Sequence, residues 1–519
     1  MGSAINGVKW TSLSAVVNAC AKLGQISILT RFLRKEDFGL IAIAVLVISF
    51  TEIFMDMGIS SAVLHKQDIS KNEYSSLYWF NIISGFVISV IICILAPWVA
   101  IYYNQPELVN IISLLSLNVI FSSISRLQRT FQQKQMQFSV IAKIDMTASV
   151  LMVIFSIVLV YIGLGVYALV FSTLFYGFFI AIIYLSYSVF KDRIIRLHFN
   201  FYETKPYLKI GIYQVGSSTL DYLSREMDIF LIGTAYSLEI LGVYSVCKQL
   251  AFKVYSFINP IVTKVLTPSL ALCQDNQFLL REKYINVIRV LSFIDMPIYF
   301  FLCYCSSYVL GVIYGSSYVE YSLVFSILCL YYSICSIGNP LGALLVATGR
   351  TDIGFYWTIY RIIVTMIVLY FASLSPFVIF VFVIFILNFI NLFPEILLIY
   401  KPLLNISCSQ YIKSFSTPLF ISLILSPLVF IHYMRLNSYI GLVIIGILFL
   451  LLYVLLSLVY NKKDIIFIIS LYIYQSILIL HQHLFEVYQN IENIIHIILF
   501  LLKKKIYCVK GHLDELYED

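Results

Sequence analysis

The stretch Thr11–Gly39 reads TSLSAVVNACAKLGQISILTRFLRKEDFG, and its pattern returns 203 residues later at Gln214–Gly242, QVGSSTLDYLSREMDIFLIGTAYSLEILG. In the first copy Thr11, Ser14, Asn18, Lys22 and Gln25 step by three and four, so they form one stripe of a helix. Their counterparts are Gln214, Ser217, Asp221, Arg225 and Asp228. The register continues outward, with Glu36 matched by Glu239 and Gly39 by Gly242. Each stripe covers roughly 21 Å at 1.5 Å per residue, much of a hydrocarbon core about 30 Å thick. Polar groups at that depth face a cavity or a protein neighbour, because lipid offers them no partners. A cation at one depth in both copies, Lys22 and Arg225, therefore predicts two repeats facing an interior space.

The remaining chain fits that reading. Of 519 residues, 61% are hydrophobic and 12% charged, with mean hydropathy +0.93. Soluble domains have about 45–50% apolar and about 25% charged residues. The apolar surplus runs along nearly the whole length and leaves no room for a separate soluble domain. An all-α polytopic membrane protein follows. Fourteen spans are expected, at 10–32, 38–64, 76–101, 108–128, 139–162, 164–190, 209–235, 240–268, 285–313, 320–347, 353–373, 376–400, 415–433 and 438–460. Loops after even-numbered spans carry most of the Lys and Arg residues, among them Lys66, Arg129, Arg193, Arg281, Arg350 and Lys401, with Arg31, Arg34 and Lys35 in the first loop and Arg435 late as exceptions. The positive-inside rule then puts both termini in the cytoplasm. The net charge of +7 belongs mainly to those loops and does not point to nucleic acid. Asp464 onward reads as two amphipathic helices lying on the inner leaflet, with a further membrane hairpin as the alternative.

Enzymatic chemistry has little support. There is no HExxH, P-loop or GxSxG, and the histidines fall mostly in loops and the tail. The ten cysteines show no CxxC or metal-ligand spacing. No cofactor is expected. The informative residues are charges inside spans. Glu52 and Asp56, with Ser49 and Ser60, share a face of the second span. Two carboxylates there suit a coupling proton or Na⁺, with a hydrogen-bonded structural pair as the alternative. Asp228 is a further ion-coupling candidate on the seventh span. Lys248, Lys253, Arg289 and Arg361 add to the interior cations. Asp221 and Arg225 either form an intrahelical ion pair or hold an anionic ligand, since Arg engages phosphate bidentately.

Three segments resemble a known family. Leu29–Gly39 (LTRFLRKEDFG) resembles the end of the first span in polysaccharide exporters of the multidrug/oligosaccharidyl-lipid/polysaccharide flippase superfamily. Met55–Ala62 (MDMGISSA) is similar to that family's second-span ending, and Ala347–Arg350 (ATGR) to its tenth. The match covers roughly residues 5–460 and is nearest the colanic-acid and teichuronic-acid exporter branch. It implies two six-helix lobes, here 1–195 and 196–402, an extra helix pair at 403–461 and a tail at 462–519. It also implies alternating access for an undecaprenyl-diphosphate-linked oligosaccharide in the bacterial cytoplasmic membrane, with a polysaccharide polymerase as a possible partner. In that picture the interior cations receive the diphosphate. Lys22 and Arg225 lead, followed by Lys248, Lys253 and Arg361, with Asn18 and Asp221 beside them on the two stripes. The alternative is an ion-coupled exporter of small cationic drugs on the same fold, which would favour acidic and aromatic cavity residues.

Overall fold

The structure is a computed structural model that describes residues 2–66, 69–192, 195–426 and 439–460. The expected tail at 462–519 lies outside the described residues. Its first half contains helices α1 (Gly2–Leu29), α2 (Lys35–Asp56), α3 (Ile59–His65), α4 (Lys71–Tyr102), α5 (Glu107–Lys134), α6 (Phe138–Tyr161) and α7 (Tyr167–Ser186). The second half contains α8 (Phe201–Ala235), α9 (Leu238–Ala271), α10 (Gln277–Tyr304), α11 (Ser306–Ile313), α12 (Ser322–Gly338), α13 (Pro340–Ala347), α14 (Thr351–Ala372) and α15 (Phe377–Glu395). Then come α16 (Lys401–Leu404), α17 (Cys408–Ile424) and α18 (Tyr439–Tyr460).

Ten segments among the described residues are long and apolar enough to cross a bilayer. Helices α8 and α9, 35 and 34 residues long, are not among them. Both carry the interior charges predicted from sequence, which lower their hydropathy without shortening them.

Local chemistry sets several boundaries. Ser70 caps α4 by accepting from the Glu73 amide at 3.2 Å, and the Ser70 amide donates in turn to Glu73 Oε2 at 2.9 Å. Ser407 and Gln410 repeat that box on α17. The expected second span at 38–64 is instead two helices. Met57 and Gly58 both adopt left-handed backbone, with φ of 43° and 69°, and end α2 before α3 begins. The MDMGISSA segment is therefore a helix break. Tyr187–Asp192 after α7 and Ile396–Tyr400 after α15 both continue as π-helical turns. In the second case Pro394 removes a backbone donor just upstream.

Within the first half α4 packs on α5, α1 on α6, and α7 on both α5 and α6. Within the second half α10 packs on α12 and α17, and α12 on α9 and α15. The strongest link between halves is α2 against α9. These helices begin at Lys35 and Leu238, which are equivalent in the 203-residue register. They cross at Gly39 and Gly242. A Cβ on Gly39 would stand 2.3 Å from the Leu238 carbonyl oxygen, and one on Gly242 would stand 1.9 Å from that of Lys35. Only glycine permits such an approach.

Side chains reinforce this end of the molecule. Lys35 Nζ bonds Glu239 Oε1 at 3.0 Å and Glu320 Oε1 at 2.6 Å, and sits 4.8 Å from the centre of the Tyr321 ring. Ser27 donates to the Ile313 carbonyl at 2.5 Å, and Arg31 to that of Val312 at 3.1 Å. One end is thus closed by helix backbone and ion pairs.

The connector between halves is pinned to α4. Trp79 donates to the Arg196 carbonyl at 2.9 Å, and the Asn200 amide donates to Ser76 Oγ at 3.0 Å. Ser76 in turn donates to Glu203 Oε2 at 2.6 Å, while His198 lies 3.1 Å from Oε1. The Ser76 hydroxyl, then His198, hold the Glu203 carboxyl below its ordinary range. A depressed carboxylate stabilises the fold above its unfolded pKa, and that contribution is lost as pH falls through the folded value. Protection factors for amide exchange at 195–205 are therefore expected to fall as pH drops through the depressed Glu203 value. Glu203→Gln should remove the pH dependence. An unchanged acid response in that variant would show that another group controls the connector.

Candidate functional site

A cavity of about 460 Å³ lies between α2, α5 and α8, toward the end of α2 away from the Gly39–Gly242 crossing. Helix α2 contributes Ser49, Glu52, Ile53 and Asp56; α5 contributes Arg126; α8 contributes Val215, Ser218, Asp221, Tyr222 and Arg225. A second space of about 400 Å³ shares Asp56 and Arg126 and continues into the first half. Ser122, Ser125, Arg129 and Gln133 of α5 and Tyr176 of α7 line it. Both halves thus meet around one charged chamber.

Helical spacing explains the lining. Ser49, Glu52 and Asp56 step by three and four along α2, as do Ser218, Asp221 and Arg225 along α8, with Tyr222 four after Ser218 and three before Arg225. Arg126 Nη2 lies 3.7 Å from Glu52 Oε2. Ser60 donates to Asp56 Oδ1 at 2.5 Å. Tyr222 donates to the Leu46 carbonyl at 2.7 Å, tying α8 to α2, and the Arg225 guanidinium lies 5.9 Å from its ring. The chamber therefore holds Arg126 and Arg225 together with three carboxylates, Glu52, Asp56 and Asp221.

Structure separates several residues grouped by sequence. Glu52, Asp56, Asp221 and Arg225 do share the chamber. The intrahelical Asp221–Arg225 pair is not formed among the described residues; Arg225 Nε bonds the adjacent Glu226 Oε1 at 3.0 Å instead. An i, i+1 contact is available because Glu226 leans toward α9. There its other oxygen meets Lys248 Nζ at 3.0 Å.

Lys248 does not present its charge to the chamber. Its residue is 8% exposed, and Nζ bonds Asp228 Oδ1 at 2.8 Å, Glu226 Oε2, and the Arg225 carbonyl at 3.0 Å. Tyr244 completes the cluster by donating to Asp228 Oδ2 at 2.5 Å. Asp228 and Lys248 thus neutralise each other inside the second half. Such burial is tolerated because every charge has a partner.

Lys22 is exposed but lines neither cavity among the described residues. Its charged company is Asp145 and Arg129 in its own half and Lys253 of α9 from the other. Gln25 leaves the stripe and donates to Ser172 of α7 at 3.1 Å. Asn18 bonds Ser14 at 3.2 Å, while its Oδ1 is buried without a partner. Arg361 of α14 is exposed and lies within electrostatic range of Asp221.

Two site residues were missed and one was misplaced by sequence reasoning. Arg126 lines both cavities, and Asp145 of α6, 5% exposed, pairs with Arg129 Nη2 at 2.6 Å. Arg129, expected in the loop after the fourth span, lies on α5, which continues to Lys134. The available signal was the run Ser122, Arg126, Arg129, Gln133, which holds one helical stripe past the expected end of the span.

Closed at one end and charged within, the helices form a polytopic bundle around one chamber. The family model described as polysaccharide biosynthesis protein matches residues 28–323, and the chain belongs to that family. The lipopolysaccharide biosynthesis protein WzxC of Escherichia coli (strain K12) is 26% identical over 424 residues, covering 81% of this chain and 85% of that protein. The teichuronic acid biosynthesis protein TuaB of Bacillus subtilis (strain 168) is 26% identical over 357 residues, covering 68% and 73%. Among solved structures, the lipid II flippase MurJ in an inward closed conformation superposes with a TM-score of 0.70 at 12% identity. That superposition covers 89% of this chain and all of the other.

Proposed function

We propose that the protein moves an undecaprenyl-diphosphate-linked oligosaccharide from the inner to the outer leaflet of the bacterial cytoplasmic membrane by alternating access. The observation that carries this reading is one chamber holding Arg126 from the first half and Arg225 from the second, with the far end sealed at Gly39 and Gly242. A diphosphate needs more than one cation, because unpaired charge in a low-dielectric site is costly. A volume of about 460 Å³ suits the diphosphate head, while the polyprenyl tail stays in lipid. Lys22 and Lys253 form a second cationic region, and Arg361 flanks the chamber beside Asp221.

The loop charges orient the sealed end outward and both termini inward. The halves correspond to 1–195 and 196–402, with 403–461 added. Glu52 and Asp56 are the chamber carboxylates best placed to exchange a proton or Na⁺ as the cavity reorganises. Their double replacement by Gln and Asn should leave flipping insensitive to the ion gradient.

The test is flipping of a lipid-linked glycan in proteoliposomes. A charge-assisted hydrogen bond contributes roughly 1.5–3 kcal/mol, so Arg225→Ala and Arg126→Ala should each reduce flipping about tenfold or more. Arg225→Lys should fall between, since charge is kept but the bidentate fork is lost. If Glu226→Gln restores full activity to Arg225→Ala, then Arg225 serves the fold and not the substrate. A second reading, export of small cationic compounds, is favoured by the three chamber carboxylates. It predicts that the arginine variants retain drug efflux while Asp56→Asn and Asp221→Asn lose it.

A further inference from the structure

A separate polar chain runs through the second half, away from the chamber. It joins α9, α10 and α12 through Asn259, Asp295 and Ser336, which are 1%, 0% and 0% exposed. Asn259 Nδ2 donates to Ser336 Oγ at 2.9 Å, and the Ser336 hydroxyl donates to Asp295 Oδ2. Asp295 Oδ1 and Asn259 Oδ1 are both buried without a partner. No ion pair to Asp295 is formed among the described residues.

Counting hydrogens shows what the chain lacks. A serine hydroxyl has one hydrogen. When it is given to Asp295, the serine must accept from the Asn259 amide nitrogen, which leaves the amide oxygen bare. Turning the amide around moves the deficit to Asp295 without removing it. Either way two acceptor oxygens and a buried carboxylate stand one positive charge short, an arrangement far more costly than a paired one. Pro340 follows α12 and has no N–H to give the Ser336 carbonyl four residues earlier.

Arg225 and Arg361 reach Tyr255, and Arg361 reaches Cys335, but neither arginine pairs with Asp295 among the described residues. Tyr255 of α9 and Tyr299 of α10 lie in electrostatic reach of Asp295, and Cys335, next to Ser336 on α12, lies in reach of the buried Glu395 of α15. Tyr299 donates to the Ala251 carbonyl at 3.2 Å and Tyr255 to Asn339 Oδ1 at 2.7 Å. On α17, Tyr411 stacks on Tyr400 at 5.0 Å and Lys413 is exposed. On α18, Tyr453 packs on Phe293 at 5.3 Å. Helix α13 carries no titratable residue.

We propose that Asp295, Asn259 and Ser336 form a binding site for one monovalent cation, a proton or Na⁺. A proton would sit on Asp295 Oδ1; Na⁺ would be held by oxygens of the three side chains. Kinked membrane helices with freed carbonyls are suited to holding such ions. Its use to drive transport rests on the flippase reading above, but occupancy of the site does not.

Thermal unfolding of the purified full-length protein in lipid nanodiscs tests the proposal. One arm replaces choline chloride with NaCl at fixed pH and ionic strength; the other lowers pH without Na⁺. Stabilisation in the first arm identifies Na⁺ as the ligand, and stabilisation in the second alone identifies the proton. Asp295→Asn should abolish the dependence, since the amide mimics the neutralised carboxyl. Ser336→Ala should weaken apparent cation affinity about tenfold, by loss of a charge-assisted hydrogen bond. Asn259→Asp adds a second carboxylate at the same size and should tighten cation binding, which keeps the test decisive if Asp295→Asn does not fold. No response in either arm, or an Asp295→Asn response equal to that of the unaltered protein, overturns the site. Glycan flipping without an imposed gradient is measured alongside. Its absence in the unaltered protein would count against the flippase reading alone.

Discussion

Gly242→Leu is expected to abolish flipping and to unseal the closed end while leaving most of the helical structure intact. The new Cβ would begin 1.9 Å from the Lys35 carbonyl oxygen and 2.9 Å from the Gly39 amide nitrogen. Both obstacles are backbone of a long helix and cannot swing aside, so α2 and α9 must part. Overpacking of this kind costs about 1–3 kcal/mol. Under the alternating access proposed above, that cost falls on the sealed arrangement, which brings the two glycines together. Native Cys247, fully buried five residues along α9, gives a direct reading. In a background where it is the sole cysteine, maleimide labelling should be slow in the parent and fast with Gly242→Leu. Slow labelling with normal flipping in the variant would show that the crossing does not gate.

Lys248→Met should be the most destabilising single change at the charged residues. Removing the ammonium strands Asp228 and leaves Glu226 with Arg225 alone, inside a cluster whose lysine is 8% exposed. Breaking a buried pair by deleting one partner costs about 3–5 kcal/mol. The expected result is a large drop in thermal stability and in protein recovered from the membrane. Lys248→Met with Asp228→Asn should recover much of it, because no bare charge remains. If the single variant melts like the parent, the cluster is not holding the fold and Lys248 is free for another role.

The contrast between these sites shows what a sequence can disclose. Apolar length is a local property, so the helical, membrane-spanning class was legible residue by residue, while ten rather than fourteen segments are long and apolar enough to cross among the described residues. The repeat was legible because Gly39 and Gly242, like Glu36 and Glu239, keep one offset. That the two glycines touch was not, since the offset gives equivalence and not distance. Lys248 looked like a cavity cation because its partners, Asp228 and Glu226, sit on the preceding helix. No periodicity within α9 could reveal them. Arg126 and Arg129 were lost for another reason. Helix α5 runs on to Lys134, so dividing the chain into membrane-length pieces cut through the functional stripe. Asp295, Asn259 and Ser336 come from three helices, and their deficit appears only once hydrogens are counted in space.

The crossing at Gly39 and Gly242 has one more implication. Gly39 meets the carbonyl of Leu238, and Gly242 meets that of Lys35, the equivalent residue of the other half. Each partner uses the same patch, which is the signature of an isologous dimer contact. In its geometry the chain is a homodimer interface carried within one polypeptide, with the connector as its tether. The positions therefore answer to each other: enlarging one glycine intrudes on both copies of the patch. Co-expressed as separate chains cut within the connector, the two halves should find each other through this contact.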